Sequence, residues 1–194
     1  MLFFTCFHAI SQSSKTVYSD IRMALEEKSK VKVLRLDGQN LERLPPEINQ
    51  LKKLQVITLQ GNPRLDITHT FKTLSKLKRL RSIDLSYCDI DSLPGDIGQL
   101  DNIKVLKIGA NKLRKLPTEI NELKRLKRIV FSQNSNDFMS WEIREVKDLL
   151  QQSPSYDIIL EDYFGGVHGN FRMKKRRVKL TKNNFEDLFQ NYGR

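Results

Sequence analysis

Leucine, isoleucine and valine recur through the middle of the chain in a fixed order. An L-x-x-L-x-L pattern begins at Val31, Leu54, Leu80, Ile103 and Leu126, so the successive starts are 23, 26, 23 and 23 residues apart. Periods of about 20 to 50 residues are typical of repeat architectures, in which each unit buries its hydrophobic face against its neighbours. The spacing predicts five stacked units.

The units also share their second half. In three of the five units, a Leu-Pro pair is followed by isoleucine three residues later and by leucine after three more. The pairs are Leu44-Pro45, Leu93-Pro94 and Leu116-Pro117. Together, the two halves give the consensus LxxLxLxxNxLxxLPxxIxxLxx.

Each part of this consensus has a structural meaning. The fourth and sixth positions alternate with outward-facing ones, as in a strand with one buried face, so the units are expected to stack their strands in a parallel sheet. Proline fixes its own φ and lacks a backbone donor, so the Leu-Pro pair predicts an extended rather than helical convex return. The isoleucine and the leucine that follow are expected to fill the core from the convex side.

The ninth position of the unit favours an amide side chain. Asn62, Asn111 and Asn134 occupy it in three units, and Gln39 and Cys88 replace asparagine in the other two. An amide in the turn after the strand can bond backbone groups of its own turn and of the neighbouring turn. The position therefore predicts a row of turn residues, with Cys88 buried and apolar rather than nucleophilic.

These units resemble the leucine-rich-repeat family, in the 23-residue LPxxI class that occurs in bacterial secreted and surface proteins and in intracellular signalling scaffolds. The resemblance covers residues 31–134 as five repeats and about 16–160 with caps. It implies an α/β repeat fold: a leucine-rich-repeat solenoid with a short parallel β-sheet on its concave side, a mostly extended convex side and helical caps.

The second unit departs from the pattern. It is three residues longer than the others, and Asp66-Ile67 stands where the Leu-Pro pair is expected. Phe71, Leu74 and Leu77 then follow at helical spacing. This unit predicts a short convex helix near residues 69–78 that packs the three apolar side chains on the core.

Caps are predicted at both ends, because an open solenoid would expose its core. Residues 135–160 are predicted to form a C-terminal cap, with a helix over 140–152 and a final strand over 156–160. Residues 15–30 are predicted to form an N-terminal helical cap. Four apolar residues at helical spacing carry that second prediction: Val17, Ile21, Ala24 and Leu25.

Residues 1–14 allow two interpretations. The first ten residues, MLFFTCFHAI, are apolar, and Ala9-Ile10-Ser11 fits the small-x-small rule for signal peptidase, although no Lys or Arg precedes the apolar run. One interpretation is a truncated signal peptide, which predicts an extracytoplasmic protein that is secreted, periplasmic or on the cell surface. The alternative is an apolar N-terminus that packs on the first repeat, in a protein that could be cytoplasmic.

The overall charge suggests an anionic partner without identifying it. Lys and Arg number 34 against 23 Asp and Glu, which gives a formal net charge of +11. Such an excess attracts acidic lipid, nucleic acid, acidic glycan or acidic protein. The second position of the units predicts a basic row along one edge of the sheet, for which solubility is the simpler explanation. Its members are Lys32, Gln55, Arg81, Lys104 and Lys127.

No catalytic constellation stands out in the sequence. His8, His69 and His168 are far apart and have no metal-ligand partners at helical spacing. The glycine-rich stretch at 165–169 lacks the GK[ST] ending of a phosphate-binding loop. The protein is therefore expected to be no enzyme, to need no cofactor and to hold no metal.

The concave sheet is the surface expected to carry function. Side chains at the third, fifth and seventh positions of the units point outward between the buried leucines. This face mixes apolar, charged and aromatic residues. The mixture favours a protein or glycan partner over nucleic acid. The chain is expected to be a monomer. The predicted partner-binding residues are Arg35, Asp37, Thr58, Gln60, Asp84, Tyr87, Lys107 and Arg128.

Residues 161–194 lie outside the repeats and form a basic C-terminal extension. Residues 171–182 hold seven basic residues in twelve. They support an alternative function, in which the protein binds an acidic membrane surface or a polyanion through this extension. The residues expected to contact the anion are Lys174, Lys175, Arg176, Arg177 and Lys179.

Overall fold

A computed structural model describes residues 16–113, 115–134, 156–164 and 174–181. Within these ranges the chain forms one open sheet of eight strands, whose spatial order is the order of the strands along the chain. The first seven strands are parallel, and the eighth is antiparallel to the seventh. The predicted solenoid with its short parallel concave sheet is confirmed.

The strands stack in the register that the repeat predicts. The first strands are β1 (Val17–Tyr18), β2 (Val33–Arg35), β3 (Val56–Thr58), β4 (Ser82–Asp84) and β5 (Val105–Lys107). The last three are β6 (Arg128–Asn134), β7 (Asp157–Phe164) and β8 (Lys174–Leu180). Equivalent repeat positions pair across β2 to β6. Each unit therefore adds the same residue positions to each face of the sheet.

Leucine-like residues form one continuous core behind the sheet. The fourth position of every unit is fully buried, as in Leu34, Ile57 and Leu106. The convex isoleucines meet these residues from the other side, and Ile48, Ile97 and Ile120 are all buried. Burying apolar surface in each unit against both neighbours is the main force that holds such an array together.

The convex return contains a turn that the sequence did not predict. The prolines of the Leu-Pro pairs are extended, with ψ between 141° and 153°. Directly after them, the chain makes 3₁₀ turns at Pro46–Gln50, Gly95–Gln99 and Thr118–Glu122. The prediction of an extended return is thus correct at the Leu-Pro step and wrong for the five residues that follow it.

The second unit carries the predicted convex helix. Helix α2 spans Ile67–Leu74, and Phe71, Leu74 and Leu77 are buried as expected. Asp66 caps it, with its carboxylate 2.8 Å from the backbone amide of His69, and this hydrogen bond lowers the pKa of the Asp66 carboxyl. The helix starts two residues before the predicted range of 69–78, because Asp66 caps it there. It ends at Leu74, four residues before the end of that range.

The N-terminal end is closed by a strand and then a helix. Helix α1 spans Ile21–Glu26, with Asp20 as its N-cap, and its residue Ala24 is fully buried. Val17 was predicted to lie on this helix, but it lies in β1, where it is 42% exposed and pairs with Val33. The alternation of exposed Val17 and buried Tyr18 is a strand pattern, which the helical-spacing count overlooked.

The C-terminal end differs from the sequence prediction in two ways. Asn134 does not enter a turn, because β6 continues through it in a seven-residue parallel pairing with β7. The predicted final strand over 156–160 is not the last one, since β7 continues to Phe164 and β8 then pairs with it. The predicted cap helix over 140–152 lies outside the described residues.

Buried turn residues link the second, third and fourth units to the unit before each of them, as the ninth position predicts. Asn62 Nδ2 donates to the carbonyls of Leu36 and Leu59 at 2.9 and 2.7 Å. Cys88 makes the equivalent link with sulfur, because its Sγ lies 3.1 Å from the Leu59 carbonyl. Cys88 is 2% exposed, which confirms the predicted burial, and this burial raises the pKa of its thiol.

Candidate functional site

The concave face presents two parallel rows of side chains, because the strands are in register. One row follows the third position of the units and continues from Arg128 to Asp157 on β7. The other follows the fifth position and continues from Val130 to Ile159 on β7 and Lys179 on β8. The C-terminal strands thus widen the face beyond the five units that carry the repeat.

A depression of about 300 Å³ lies on this face where β5, β6, β7 and β8 run side by side. Its floor combines aliphatic side chains with cations and one carboxylate. This mixture suits an extended ligand that carries both apolar and acidic groups. The residues that line the depression are Val105, Lys107, Arg128, Val130, Asp157, Ile159 and Lys179.

Two of the three cations in the depression have a carboxylate partner. Lys179 Nζ lies 2.6 Å from Asp157 Oδ1, and Lys107 Nζ lies 3.4 Å from Asp84 Oδ2. Arg128 is exposed and makes no ion pair with any described residue. Its planar guanidinium, which can form two parallel hydrogen bonds with a carboxylate, is therefore the cation most open to an acidic ligand.

The predicted partner-binding residues are spread along the whole concave side. Lys107 and Arg128 line the depression, whereas Arg35 and Asp37 are exposed near the other end of the sheet. Thr58 and Gln60 are half-buried between them. Asp37 also has a structural role, because its carboxylate accepts a 3.1 Å hydrogen bond from the backbone amide of Gln60.

Asp84 is far less available than the sequence suggests. The residue is only 8% exposed, and its carboxylate contacts the backbone amide of Ser86 at 3.1 Å as well as Lys107. It therefore positions Lys107 and the end of β4. The fifth position of the unit predicts the face on which Asp84 lies, but neighbouring side chains decide its exposure.

Tyr87 is held in a backbone conformation that costs energy. Its φ is +58°, in the left-handed region that side chains with a Cβ disfavour. Gly38 and Gly61 adopt the same conformation at the equivalent position of the first two units, and Ala110 does so in the fourth. Strained non-glycine residues are often retained for function, so the half-buried ring of Tyr87 is a candidate contact.

The five basic residues predicted to contact an anion lie in β8. Arg176 and Arg177 pair in the backbone register with Asp162 and Glu161 of β7. Lys174 and Lys175 belong to the same strand. Lys179 is exposed, but it already contacts Asp157.

The depression contains residues that were not predicted as a site. Val105 and Val130 occupy outward positions in the consensus, but the predicted partner-binding set contained only polar, charged and aromatic residues. Asp157 and Ile159 fall in the predicted final strand, where they alternate with the buried residues Tyr156 and Ile158. This alternation was a signal that they continue the two rows of the concave face. The missing information was the register between β6 and β7, which the intervening non-repeat sequence does not encode.

The described residues offer neither a cluster of metal ligands nor a membrane-spanning helix. They contain no group of three His, Cys, Asp or Glu residues arranged to hold a metal ion. Among the same residues, no helix is both long enough and apolar enough to cross a bilayer.

Comparison with known proteins gives one family and several structural relatives. Residues 59–153 match the family model described as a leucine-rich repeat region. A comparison with curated proteins gives no match. Among solved structures, the chain is similar to a leucine-rich-repeat protein of Leptospira interrogans, with 30% identity over 75% of this chain and a TM-score of 0.57.

This chain spans only 35% of the length of the Leptospira protein. The plant peptide hormone receptor RGFR1, solved in complex with RGF2, is also similar, with 24% identity and a TM-score of 0.41. That likeness covers 60% of this chain and 19% of the receptor chain.

Proposed function

Because the chain is a leucine-rich-repeat protein, we propose that it is a non-catalytic module that binds a protein partner through its concave face. The depression across β5 to β8 is the proposed centre of that face. The proposed ligand is an extended peptide segment with at least one acidic group. A glycan with acidic groups is the alternative ligand for the same surface.

One observation carries this proposal: aliphatic side chains and an unpaired guanidinium share a single depression. Val105 and Ile159, both half-buried, supply apolar surface around the buried Val130, and Arg128 supplies a cation without a carboxylate partner among the described residues. Apolar contacts provide most of the affinity in peptide binding, while charged groups at the edge select the ligand. Asp157 and Lys179, which pair with each other, add polarity without net charge.

A peptide display library selected against the full chain tests the proposal. Peptides with acidic residues should be enriched, and Arg128→Glu should weaken their binding by at least about tenfold, because the attraction between Arg128 and an acidic peptide group becomes a repulsion. Val105→Trp should weaken binding by filling the depression. Thr118→Glu, an exposed change on the convex 3₁₀ turn, should leave affinity unchanged.

Selected peptides that bind all three variants equally would show that the concave face is not the binding surface. Titration calorimetry gives the affinities, and a glycan array run in parallel separates the two ligand classes. Glycan binding that depends on Arg128, with no peptide enriched, would favour the glycan alternative.

Tyr87 offers a separate prediction, in which stability and binding respond differently. Ala110→Gly should stabilise the fold by about 1 kcal/mol, because glycine adopts a positive φ without a Cβ clash. Tyr87→Gly relieves the same strain but loses a half-buried ring, so its free energy of unfolding should stay within about 1 kcal/mol of the original. Only Tyr87→Gly should weaken binding of the selected peptides, by about tenfold.

Denaturant unfolding measures the first effect and titration calorimetry the second. Ala110→Gly serves as the matched control, since it changes the equivalent backbone position of the next unit without removing an aromatic ring. Unchanged peptide affinity in Tyr87→Gly would remove Tyr87 from the binding surface.

A further inference from the structure

The turns that enter the strands form one edge of the solenoid, which we call the basic edge. It comprises residues 27–32, 51–55, 75–81, 100–104 and 123–127, each of which leads from the convex side into β2, β3, β4, β5 or β6. These turns lie next to one another because backbone hydrogen bonds join them. Gln55 N bonds to Lys32 O, Arg81 N to Gln55 O and Lys104 N to Arg81 O, each at 2.7 or 2.8 Å.

Charge is concentrated on this edge. Its five turns contain thirteen Lys or Arg residues against two acidic residues, a net charge of +11 that equals the formal charge of the whole chain. Twelve of the thirteen cationic residues are exposed, and Arg81 is half-buried. The turns that leave the strands, at 37–43, 60–66, 86–92 and 109–115, form the opposite edge, which we call the neutral edge because it contains five basic and five acidic residues by sequence.

The cations of the two edges also differ in their partners. On the neutral edge, Arg43 pairs with Asp66 at 3.1 Å, Lys112 pairs with Asp89 at 2.7 Å, and Arg64 pairs with Glu42. On the basic edge, only Lys30 has a carboxylate partner among the described residues, Glu27 at 3.1 Å. Like charges without counter-charges repel one another, and together they attract an anionic surface.

The shape of the basic edge indicates which anionic surface it fits. Five turns at the strand spacing extend about 19 Å along the sheet. Four of the five turns carry two or more cations along the path from the convex to the concave side, and the turn at 100–104 carries one. The charges therefore form a two-dimensional patch. A linear polyanion needs one row of cations, whereas a lipid bilayer presents a plane of headgroups that such a patch can contact all at once.

Apolar groups are missing from the surface of the basic edge. Leu54, Leu80, Ile103 and Leu126 in these turns are all buried, and the five turns contain no Phe, Tyr or Trp. Proteins that bind single-stranded nucleic acid stack its bases on aromatic side chains, so the basic edge lacks that chemistry. Binding through this edge is therefore expected to be electrostatic, without an apolar side chain that inserts into the partner.

We propose that the basic edge binds a bilayer that contains acidic phospholipids. The edge lies at the side of the sheet, so a solenoid bound through it keeps the concave face and its depression open to a protein partner. The proposal does not depend on the concave-face function, because the two surfaces share no residue.

Vesicle co-sedimentation of the full chain tests this proposal. The chain should bind phosphatidylcholine vesicles that contain phosphatidylserine, should not bind phosphatidylcholine alone, and should dissociate as salt is raised. The variant Lys52→Glu, Lys53→Glu and Lys78→Glu should bind at least about 100-fold more weakly, since each juxtamembrane cation strengthens binding severalfold. Replacing the same three lysines with glutamine should reduce binding in the same direction.

A matched control separates the basic edge from net charge. Arg64→Glu, Lys112→Glu and Lys115→Glu change the charge of the chain equally, but on the neutral edge, and should bind vesicles within about threefold of the original. Lys174→Glu, Lys175→Glu and Arg176→Glu make the same test for β8. Circular dichroism establishes that each variant is folded.

Three results would overturn the proposal. The first is an equal loss of binding in the neutral-edge variant or the β8 variant, which would assign the effect to net charge or to the extension. The second is no binding to acidic vesicles at low salt. The third is stronger binding to duplex DNA or to heparin than to the vesicles at the same salt, which would make a linear polyanion the partner.

Discussion

Replacing Phe71 with alanine is expected to lower the free energy of unfolding by about 3–5 kcal/mol. Phe71 is fully buried on α2, the helix that replaces the Leu-Pro return in the second unit. Removing the ring forfeits its apolar burial and leaves a cavity that a close-packed core fills only in part. Guanidinium denaturation followed by circular dichroism measures the loss.

The position of α2 makes this loss larger than it would be at an end of the array. The helix contacts the convex turns of both neighbouring units, Pro46–Gln50 and Gly95–Gln99. In a repeat array, each unit is stabilised mainly by its interfaces, so a cavity in the second unit weakens the contacts of the first and third as well. We therefore expect the unfolding transition to lose cooperativity in addition to shifting its midpoint.

Two further variants set the scale for the stability loss expected of Phe71→Ala. Phe71→Leu keeps most of the apolar volume and should cost only about 1–1.5 kcal/mol. Thr68→Ala alters an exposed residue of the same helix and should change stability by no more than about 0.5 kcal/mol. A Phe71→Ala protein as stable as Thr68→Ala would mean that α2 packs less tightly on the core than its burial indicates.

Periodicity made most of the sheet predictable from the sequence. Once the unit is recognised, it places a strand at every start, buries its fourth position and orders the strands along the chain. Helix α2 was also predictable, because Phe71, Leu74 and Leu77 fall at helical spacing. The 3₁₀ turns were not, since each lasts about one turn and its polar residues carry no period.

Features that depend on stacking were harder to predict than features of a single unit. The exposure of Asp84 is set by Lys107 in the next unit, and the concave depression requires the pairing of β6 with β7. The basic edge was visible in outline as one row of cations at the second position. Its strength appears only when all five turns are brought together, because each turn by itself looks like an ordinary solvated charge cluster.

Replacing Asn111 with alanine is expected to cost about 3–4 kcal/mol, because the four shortest hydrogen bonds of this side chain all go to buried backbone groups. Its Nδ2 donates to the carbonyls of Leu85 and Ile108 at 2.9 and 2.8 Å. Its Oδ1 accepts from the amides of Cys88 and Ile90 at 2.9 and 3.2 Å. Alanine would leave all four groups without this partner, and unpaired buried groups carry most of the penalty.

Cys88 shows what an intermediate replacement should do. Its thiol bonds the Leu59 carbonyl of the preceding unit at 3.1 Å, but sulfur forms weaker hydrogen bonds than an amide, so a cysteine replaces the amide only in part. Asn111→Cys should therefore cost less than Asn111→Ala, by about 1 kcal/mol, while Asn121→Ala on the exposed convex turn should be nearly neutral. Equal denaturation midpoints for Asn111→Ala and Asn121→Ala would contradict the idea that turn amides join the units.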